Sequence, residues 1–479
     1  MKDTPQWPIS LILLVVVTLF VAGCENRLEE NTIPSSQPQN GQSTKTTGTE
    51  RIVLNWIGHW KGEKARQDLI EAAKKDFEFL HPDVQIHLTY NLDLPGEEKN
   101  HKIRAAETII AMIQSGNIDW DIVYLDISVY EHISERLGDP LWVRDHLVDF
   151  ATVEGFAETQ KDFIISDPKY RQRMGEILTG PYIEGYIQNP WYNAAVAEKV
   201  GIVIKEREMH FQDFLEYAKK LHAYNIQNNT SIPFIKLCTW NRLELFFETF
   251  FKSLFDNFQA ATEEEYNEQK REAFLTTLLA FEELAQYQPI VNDGWQKLAM
   301  ADYIKNFLLK DDGLFITGGT YMYGHFYSID PEKSVMLRPA ETPVLKKAHG
   351  LMADFTPSFA VMKKSPKRKL AEDFLLFLAG PEYAERWVST TKSPTGIRGH
   401  LARFAMEPTD IYEKFAIDMQ QKYSSASMVS SRTPTYVFGK NNPVTVNELR
   451  LKLAAILEGK LTALEYYENV MQRLQEEAR

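Results

Sequence analysis

The feature that most constrains the fold is an alternation of strand-like and helix-like segments that begins at residue 51. Arg51 to Trp56 is a short, β-rich apolar run, and Glu63 to Leu80 places apolar side chains at helical spacing. Val84 to Tyr90 then alternates as a strand does. A second helical pattern from residue 103 leads to the buried-type strand Ile122 to Leu125. This repetition predicts a parallel sheet with right-handed crossovers, and therefore an α/β fold.

The ends of these predicted strands give the first candidate ligand-binding loops. In open sheets of this kind, ligands bind beyond the carboxyl ends of the strands. Those ends fall at Gly58-His59-Trp60 and at Asp126-Ile127-Ser128.

The chain is too long for one ordinary hydrophobic core. It has 479 residues, and single cores stop growing well below that length, so we expect two lobes. The middle and end of the chain carry helical patterns without a fixed repeat period. These patterns predict helices at Phe211–His222, Arg242–Phe258, Glu263–Tyr287, Arg368–Leu378 and Val446–Glu458.

The first residues have the layout of a signal peptide. Lys2 precedes an apolar run from Ile9 to Ala22, which is about 14 residues long, whereas a membrane-spanning helix needs roughly 20. Val21-Ala22-Gly23-Cys24 resembles the lipobox of bacterial lipoproteins, and this resemblance implies cleavage before Cys24 and a diacylglycerol on its thiol. The alternative is a leaderless chain in which Cys24 is buried.

A polar segment follows the lipobox. Residues 24–50 are rich in Asn, Ser, Thr, Gln, Gly and Pro, and cannot bury enough apolar surface to order themselves. We therefore expect residues 1–23 to be a lipoprotein signal peptide and residues 24–50 a disordered tether. The body would then lie outside the cytoplasm, anchored by lipid to a bacterial cell membrane.

Charge and motifs exclude several classes of function. Lys and Arg number 53 against 66 Asp and Glu, a net charge of −13 with no concentrated basic patch, which argues against a nucleic-acid partner. The sequence contains no phosphate-binding loop, dinucleotide fingerprint, zinc-protease motif or nucleophile elbow. The histidines lack ligand-like spacing, and Cys238 lacks a nucleophile's context. We expect no catalytic residues, no metal and no cofactor.

Aromatic residues near predicted loops and turns are the positive evidence for a ligand. A single aromatic near a turn usually caps a core edge, but several together suit a sugar, whose C–H face stacks on a flat ring while polar side chains bind its hydroxyl rim. The candidates are Trp56, Trp60, Trp191, Tyr192, Trp240, Trp295, Tyr321, Tyr323, Phe326 and Tyr327.

A set of segments from residue 184 onward carries a resemblance to a known family. The segments are Glu184-Gly185-Tyr186, Trp191-Tyr192-Asn193, Glu198–Gly201, His210–Phe214, Gly313–Gly319, Phe359–Ser365, Leu370–Leu378, Ser393-Pro394 and Leu453–Lys460 with Ala463–Glu465. In this order and spacing they resemble family 1 extracellular solute-binding proteins, the sugar receptors of bacterial ABC importers. The resemblance spans about residues 51 to 475. It departs from the family at Ala194, where a Lys is frequent, and at Thr320-Tyr321, where a Trp commonly follows the Gly-Gly turn.

The resemblance implies a two-lobed, periplasmic-binding-protein-like fold of type II with the ligand in a cleft between the lobes. The N-terminal lobe would comprise residues 51–183 and 345–395, and the C-terminal lobe residues 184–344 and 396–479. The chain would cross between lobes near residues 184, 345 and 396.

Carried over position by position, the resemblance implies ligand contacts at Trp60, Asp126, Tyr186, Trp240 and Tyr321. The protein would be a monomeric, membrane-anchored receptor that binds a carbohydrate, specifically an oligosaccharide, and delivers it to the transmembrane subunits of an ABC permease.

Other classes stay open. A surface-anchored glycosidase or lyase could use the same leader, tether and aromatic platforms, although it would need two positioned carboxylates, and none can be chosen by spacing among 66. A sensory or adhesive binding protein could share the fold without transport. Within the receptor interpretation, polyamine and metal ligands are further alternatives.

Overall fold

The computed structural model describes residues 51–59, 64–98, 100–161, 171, 174–255, 262–290, 294–346, 352–354, 357–395, 410–422, 429–430 and 444–477. The predicted signal peptide, Cys24, the tether and Trp60 lie outside the described residues.

The described strands and helices alternate at first and become mostly helical later. The strands are β1 (Ile52–Gly58), β2 (Val84–Tyr90), β3 (Ile122–Tyr124), β4 (Tyr186–Asn193), β5 (Phe315–Gly319), β6 (Leu337–Pro339), β7 (Met352–Asp354), β8 (Phe359–Val361) and β9 (Val429–Ser430). The helices are α1 (Lys64–Leu80), α2 (His101–Ser115), α3 (Ile127–Leu137), α4 (Trp142–His146), α5 (Ala194–Val200), α6 (Phe211–Asn228), α7 (Leu243–Phe255), α8 (Glu263–Ala285), α9 (Met300–Lys310), α10 (Met322–Ile329), α11 (Pro331–Ser334), α12 (Arg368–Leu378), α13 (Pro381–Thr391), α14 (Ile411–Lys422), α15 (Val446–Leu457) and α16 (Ala463–Glu477).

The first sheet confirms the predicted parallel arrangement. Its order is β2-β1-β3-β8, and β1 runs parallel to both neighbours, with Ile52 opposite Val84 and Trp56 opposite Ile122. β8 joins the edge antiparallel to β3. Helix α1 buries the apolar face that its spacing predicts, including Leu69 and Phe77.

The second sheet is built around β4. This strand pairs antiparallel with β5 along one side, and with β6 and β7 at different points along its length, while β9 runs parallel to β7. Because β5 and β7 are more than 120 residues from β4 in sequence, this sheet depends on long-range pairing.

Buried apolar side chains form two large clusters and a smaller third one. The first surrounds β1 to β3, the second lies among α6, α7, α8, α15 and α16, and the third includes Trp191 and Tyr303. Helix α14 contributes Phe415 to the first cluster and Tyr412 to the third. The two large clusters agree with the expectation that the chain is too long for a single hydrophobic core. The lobe boundaries themselves stay a prediction.

The helix ends carry the capping chemistry that favours their positions. The side chain of Asn100 accepts from the backbone N–H of Lys102 at the start of α2, and Thr262 and Thr445 cap α8 and α15 in the same way. Gly116 ends α2 in the left-handed conformation at φ 73°, where a side chain would be strained.

Several aromatics expected at loops and turns lie elsewhere, so that expectation is wrong for them. Trp56 and Trp191 are strand residues at 0% and 1% exposure, and Trp295 is 4% exposed. Tyr323 and Tyr327 are in α10, since the chain enters a helix just after the Gly-Gly pair. Trp56, Trp191 and Trp295 belong to the hydrophobic clusters, so core packing explains all three, although Trp295 does follow a turn as predicted.

None of the helices in the described residues combines the length and the apolar character that a membrane span requires.

Candidate functional site

Three of the predicted ligand contacts meet in one group of aromatic rings. The ring centroids of Tyr186 and Tyr321 lie 5.6 Å apart, and those of Tyr321 and Trp240 lie 6.2 Å apart. Both pairs meet edge to face, the arrangement that the charge distribution of aromatic rings favours. All three residues are half-buried, so part of each faces accessible space. We call these three residues the aromatic group.

The glycine at the end of β5 explains how the ring of Tyr321 reaches Tyr186. Gly319 pairs with Gln188 of β4. A Cβ atom at Gly319 would lie 2.6 Å from the ring of Tyr321 and 2.7 Å from the carbonyl oxygen of Ile187. Glycine at this position therefore lets the ring lie against the strand pair.

The end of α13 and the residues that follow it support the aromatic group from the side. The ring of Trp387 lies 6.2 Å from that of Tyr186, and its indole N–H donates to the carbonyl oxygen of Pro394 at 3.1 Å. The hydroxyl of Ser393 donates to that of Thr320 at 2.9 Å. The ring contact with Tyr186 and the hydrogen bond to Thr320 therefore hold this segment against β4 and against the residue that precedes Tyr321.

Less of the Trp240 ring is open to a ligand than if both of its faces were exposed, because a cation covers one face. The guanidinium of Arg242 lies over its ring, 5.1 Å from the ring centroid. Arg242 also donates to Glu244 at 2.5 Å, and the carboxylate of Glu244 accepts two further hydrogen bonds from Arg450 at 2.6 and 2.7 Å. One face of Trp240 is therefore occupied by a fixed cation, so a ligand could stack on the other face only.

Asp126 lies in a second group, at the carboxyl end of β3. It is 4% exposed and caps α3 by accepting from the backbone N–H of Val129 at 2.9 Å. Its other oxygen accepts from the hydroxyl of Tyr124 at 2.8 Å and from Lys102 at 2.5 Å. These bonds fix the carboxylate firmly, and its predicted contact with a ligand hydroxyl stays a prediction.

His59 adds a neutral imidazole to this second group. Its ring lies 4.7 Å from that of Tyr124, at the end of β1. Burial lowers the pKa of His59 well below its usual value, and the nearby positive charges of Arg66 and Lys102 lower it further. At neutral pH the ring is therefore uncharged, with one donor and one acceptor nitrogen.

A buried ion pair connects α1 to the segment that enters β4. Nε and Nη2 of Arg66 donate to the two carboxylate oxygens of Glu184 at 2.8 and 2.7 Å, and the side chains are 1% and 3% exposed. Glu184 precedes Tyr186 by two residues. The pair therefore holds the start of the strand that carries the first ring of the aromatic group.

Four residues around these groups were not among the predicted contacts: Lys102, Gln188, Arg242 and Trp387. Gln188 shares a face with Tyr186 because both lie on β4, two residues apart, but the sequence pattern did not identify this segment as a strand. Sequence spacing does not reveal Lys102 and Trp387, because they contact Asp126 and Tyr186, which are distant in sequence. Arg242 is only two residues from Trp240, so its closeness to a selected aromatic was a signal that could have found it.

Clusters of metal ligands and the thiol of Cys238 are the remaining candidates for chemistry among the described residues. Across the ranges that the structure covers, no three His, Cys, Asp or Glu side chains lie close enough together to hold a metal ion. Cys238 is fully buried, and burial raises its pKa to about 11, so its thiol is protonated at neutral pH.

No family model and no curated protein matches the chain. Solved structures do match it over most of their length. A family 1 extracellular solute-binding protein from Bifidobacterium longum subsp. infantis is 15% identical with a TM-score of 0.57, covering 88% of this chain and 97% of its own.

Two further solved structures give the same picture. A sugar transporter from Bacillus licheniformis in complex with stachyose is 15% identical with a TM-score of 0.55, and covers 88% of this chain and 99% of its own. A protein from a study of xylan utilization by Caldanaerobius polysaccharolyticus is 13% identical with a TM-score of 0.60, and covers 88% of this chain and 100% of its own. The chain therefore has the two-lobed α/β fold of extracellular solute-binding proteins, as the sequence predicts.

Proposed function

We propose that this protein is the substrate-binding protein of an ABC importer, which binds a carbohydrate between its two lobes and delivers it to the permease. The observation that carries this proposal is the aromatic group, in which the half-buried ring of Tyr321, just after β5, contacts both Tyr186 of β4 and Trp240 of the segment before α7. Rings arranged in this way suit the C–H faces of sugar residues.

Two further observations support the proposal. Structures with the same fold are described as complexes with raffinose and stachyose, which are oligosaccharides. Fixed polar side chains are also present: Arg242 lies over Trp240, and Asp126 and His59 belong to the second group, which under this proposal faces the same ligand. An oligosaccharide, with several rings and many hydroxyls, would use both kinds of surface.

The proposal includes the lobe assignment and the remaining ligand contacts. Residues 51–183 and 345–395 would form one lobe, and residues 184–344 and 396–479 the other. Trp60 and Asp126 would contact the sugar from the first lobe, and the aromatic group from the second. The protein would act as a monomer without enzymatic activity.

Calorimetric titration of the purified chain with raffinose, stachyose, xylotetraose, chitotriose and spermidine tests this function. We expect one of the sugars to bind with micromolar affinity, about −8 kcal/mol, and spermidine not to bind. Small-angle scattering should show a smaller radius of gyration with the sugar bound, because contacts to both lobes favour closure. Release of cleavage products would instead support the glycosidase or lyase alternative, and an unchanged radius at saturation would contradict closure.

Replacement of Trp240 tests the aromatic group directly. Stacking that removes on the order of 100 Å² of apolar surface from water contributes roughly 2.5 kcal/mol, so Trp240→Ala should weaken sugar binding well over tenfold. Trp295→Ala is the matched control, because Trp295 is 4% exposed and belongs to the second core. The control should lose about 3–5 kcal/mol of unfolding free energy while its affinity is retained. The reverse pattern would assign Trp240 to the core.

We also propose that Cys24 is the acylated first residue of the mature, extracytoplasmic protein. Mass spectrometry of the native protein should show a lipid-modified Cys24 and no leader, whereas Cys24→Ser should keep its leader. A wild-type protein found in the soluble fraction with its leader intact would contradict the lipid anchor.

A further inference from the structure

We propose that Gln188 is a specificity-determining residue whose side-chain amide accepts a hydrogen bond from a hydroxyl of the carbohydrate bound against Tyr186 and Tyr321. This inference rests on the proposed function and adds to it a requirement for a hydrogen-bond donor at one position of the ligand.

The position of Gln188 follows from strand geometry. Gln188 lies two residues after Tyr186 in β4, and alternate residues of a strand share a face. It is directly opposite Gly319 of β5, and directly opposite residues of an antiparallel pair also share a face. The ring of Tyr321 lies over that face, since a Cβ atom at Gly319 would meet it at 2.6 Å. The amide therefore lies beside two rings of the aromatic group.

The side-chain amide of Gln188 has an oxygen for which the described residues provide no hydrogen-bond donor. Gln188 is 6% exposed, and its Oε1 atom has no hydrogen-bond partner among the described residues. A buried carbonyl oxygen without a partner destabilises a fold, so it requires an explanation. A sugar hydroxyl can donate to this oxygen, whereas a carboxylate cannot.

A second buried glutamine, Gln160, has a structural role and can be compared with Gln188. Gln160 is 0% exposed, and both ends of its amide are bonded: Nε2 donates to the carbonyl oxygen of Tyr182 at 2.6 Å, and Oε1 accepts from the Tyr182 N–H at 2.7 Å. Gln188 has no such arrangement for its oxygen. The contrast favours a ligand as the partner of Gln188.

The neighbouring residue supplies a matched control. Asn189 is 2% exposed, and its Oδ1 also has no partner among the described residues. It points to the opposite face of β4, where it lines a small crevice with Pro190 and Phe246. Replacing Asn189 therefore removes a similar buried amide from the same strand without touching the aromatic group.

The experiment titrates raffinose, stachyose, xylotetraose and chitotriose into the wild type, Gln188→Leu, Gln188→Glu and Asn189→Leu. For the sugar that binds the wild type most tightly, we expect Gln188→Leu to bind about tenfold more weakly, as for the loss of one neutral hydrogen bond. Gln188→Glu keeps an acceptor oxygen and should stay within about threefold of the wild type, and Asn189→Leu should be unchanged.

A series of monodeoxy derivatives of that sugar separates a direct contact from an indirect one. The wild type should lose affinity for the derivative that lacks the bonded hydroxyl, and Gln188→Leu should bind that derivative and the parent sugar equally. Equal affinity of Gln188→Leu and the wild type for the parent sugar would overturn the inference alone, as would a loss of unfolding free energy with affinity retained. Failure of all four sugars to bind the wild type would overturn the proposed function, and this inference with it.

Discussion

Removal of one charge from the buried ion pair between Arg66 and Glu184 should destabilise the protein strongly. Two hydrogen bonds at 2.8 and 2.7 Å join the guanidinium to the carboxylate, and the side chains are 1% and 3% exposed. Glu184→Gln keeps the size of the side chain and one acceptor oxygen, but it leaves a buried guanidinium without this counter-charge. Breaking a buried pair on one side costs about 3–5 kcal/mol, and we expect a loss of unfolding free energy in that range.

The same helix offers a matched control at the surface. Lys64 and Asp68 of α1 form an ion pair at 2.6 Å, but their side chains are 76% and 63% exposed. Asp68→Asn makes the same change from acid to amide, and should cost less than about 1 kcal/mol because water screens the pair. Burial, and not the hydrogen-bond distance, decides the difference between the two variants.

Urea unfolding followed by circular dichroism measures these losses by linear extrapolation. The double variant Arg66→Met with Glu184→Leu should recover much of the loss, because it removes both buried charges and leaves apolar side chains of similar volume. A Glu184→Gln protein whose stability lies within about 1 kcal/mol of the wild type would refute the reasoning. A double variant that is no more stable than Glu184→Gln would show that packing, and not the uncompensated charge, causes the loss.

Two further changes test the close contact at Gly319 and the buried imidazole of His325. Gly319→Ala should lower the unfolding free energy by about 1–3 kcal/mol and weaken sugar binding, because the methyl group displaces the ring of Tyr321; unchanged melting and calorimetry would contradict that contact. Burial lowers the pKa of His325 to about 4. Because the unfolded chain binds this proton near pH 6.5, the stability that His325 contributes is lost as the pH falls from about 6.5 to 4, by about 3 kcal/mol in all. His325→Leu should lose less stability than the wild type between pH 7 and pH 4.5 in urea titrations, and identical pH profiles would contradict the burial of a neutral ring.

Local patterns carry most of the information for the first sheet and the long helices. The predicted strand Val84 to Tyr90 is observed at those residues, and the helix predicted from Glu63 to Leu80 is observed at Lys64–Leu80, with Glu63 outside the described residues. Alternation and helical spacing suffice here because each element has one face on a single core. Helix α13 was not predicted; its place depends on packing against α1, which is distant in sequence. The start of α16 was predicted only through the family resemblance at Ala463–Glu465.

The second sheet was harder to predict because the sequence of its central strand, β4, lacks the pattern of a buried strand. β4 contains Gln188, Asn189 and Pro190 in succession, which break the apolar pattern expected of a buried strand. Its partners come from residues 315–319, 337–339 and 352–354, so only the folded chain defines the sheet. For the same reason Gln188 was missed, although its neighbour Tyr186 was selected.

The sequence pointed to the aromatic residues of the candidate site but not to the charged side chains and hydrogen bonds around them. Tyr186, Tyr321 and Trp240 were chosen as separate positions, and the structure places them in contact. The cation over Trp240 is Arg242, two residues away, but Arg242 bonds Glu244, which the distant Arg450 holds in place. Asp126 likewise bonds Lys102, which is 24 residues earlier. Spacing along the chain therefore indicates which side chains could bind, whereas their partners depend on tertiary packing.

The course of β4 through the hydrophobic clusters explains why a ligand at this site would affect both large cores. Ile187 belongs to the first hydrophobic cluster, Trp191 to the third and Tyr192 to the second, so one strand of eight residues passes through all three. Tyr186 and Gln188 lie on the part of this strand next to the first cluster. A sugar bound there contacts a strand that both large cores share, and any preference it has for one arrangement of the cores shifts their equilibrium by that difference in affinity. The proposed lobe closure therefore requires no separate signal between the site and the hinge, because the strand that bears the site also joins the cores.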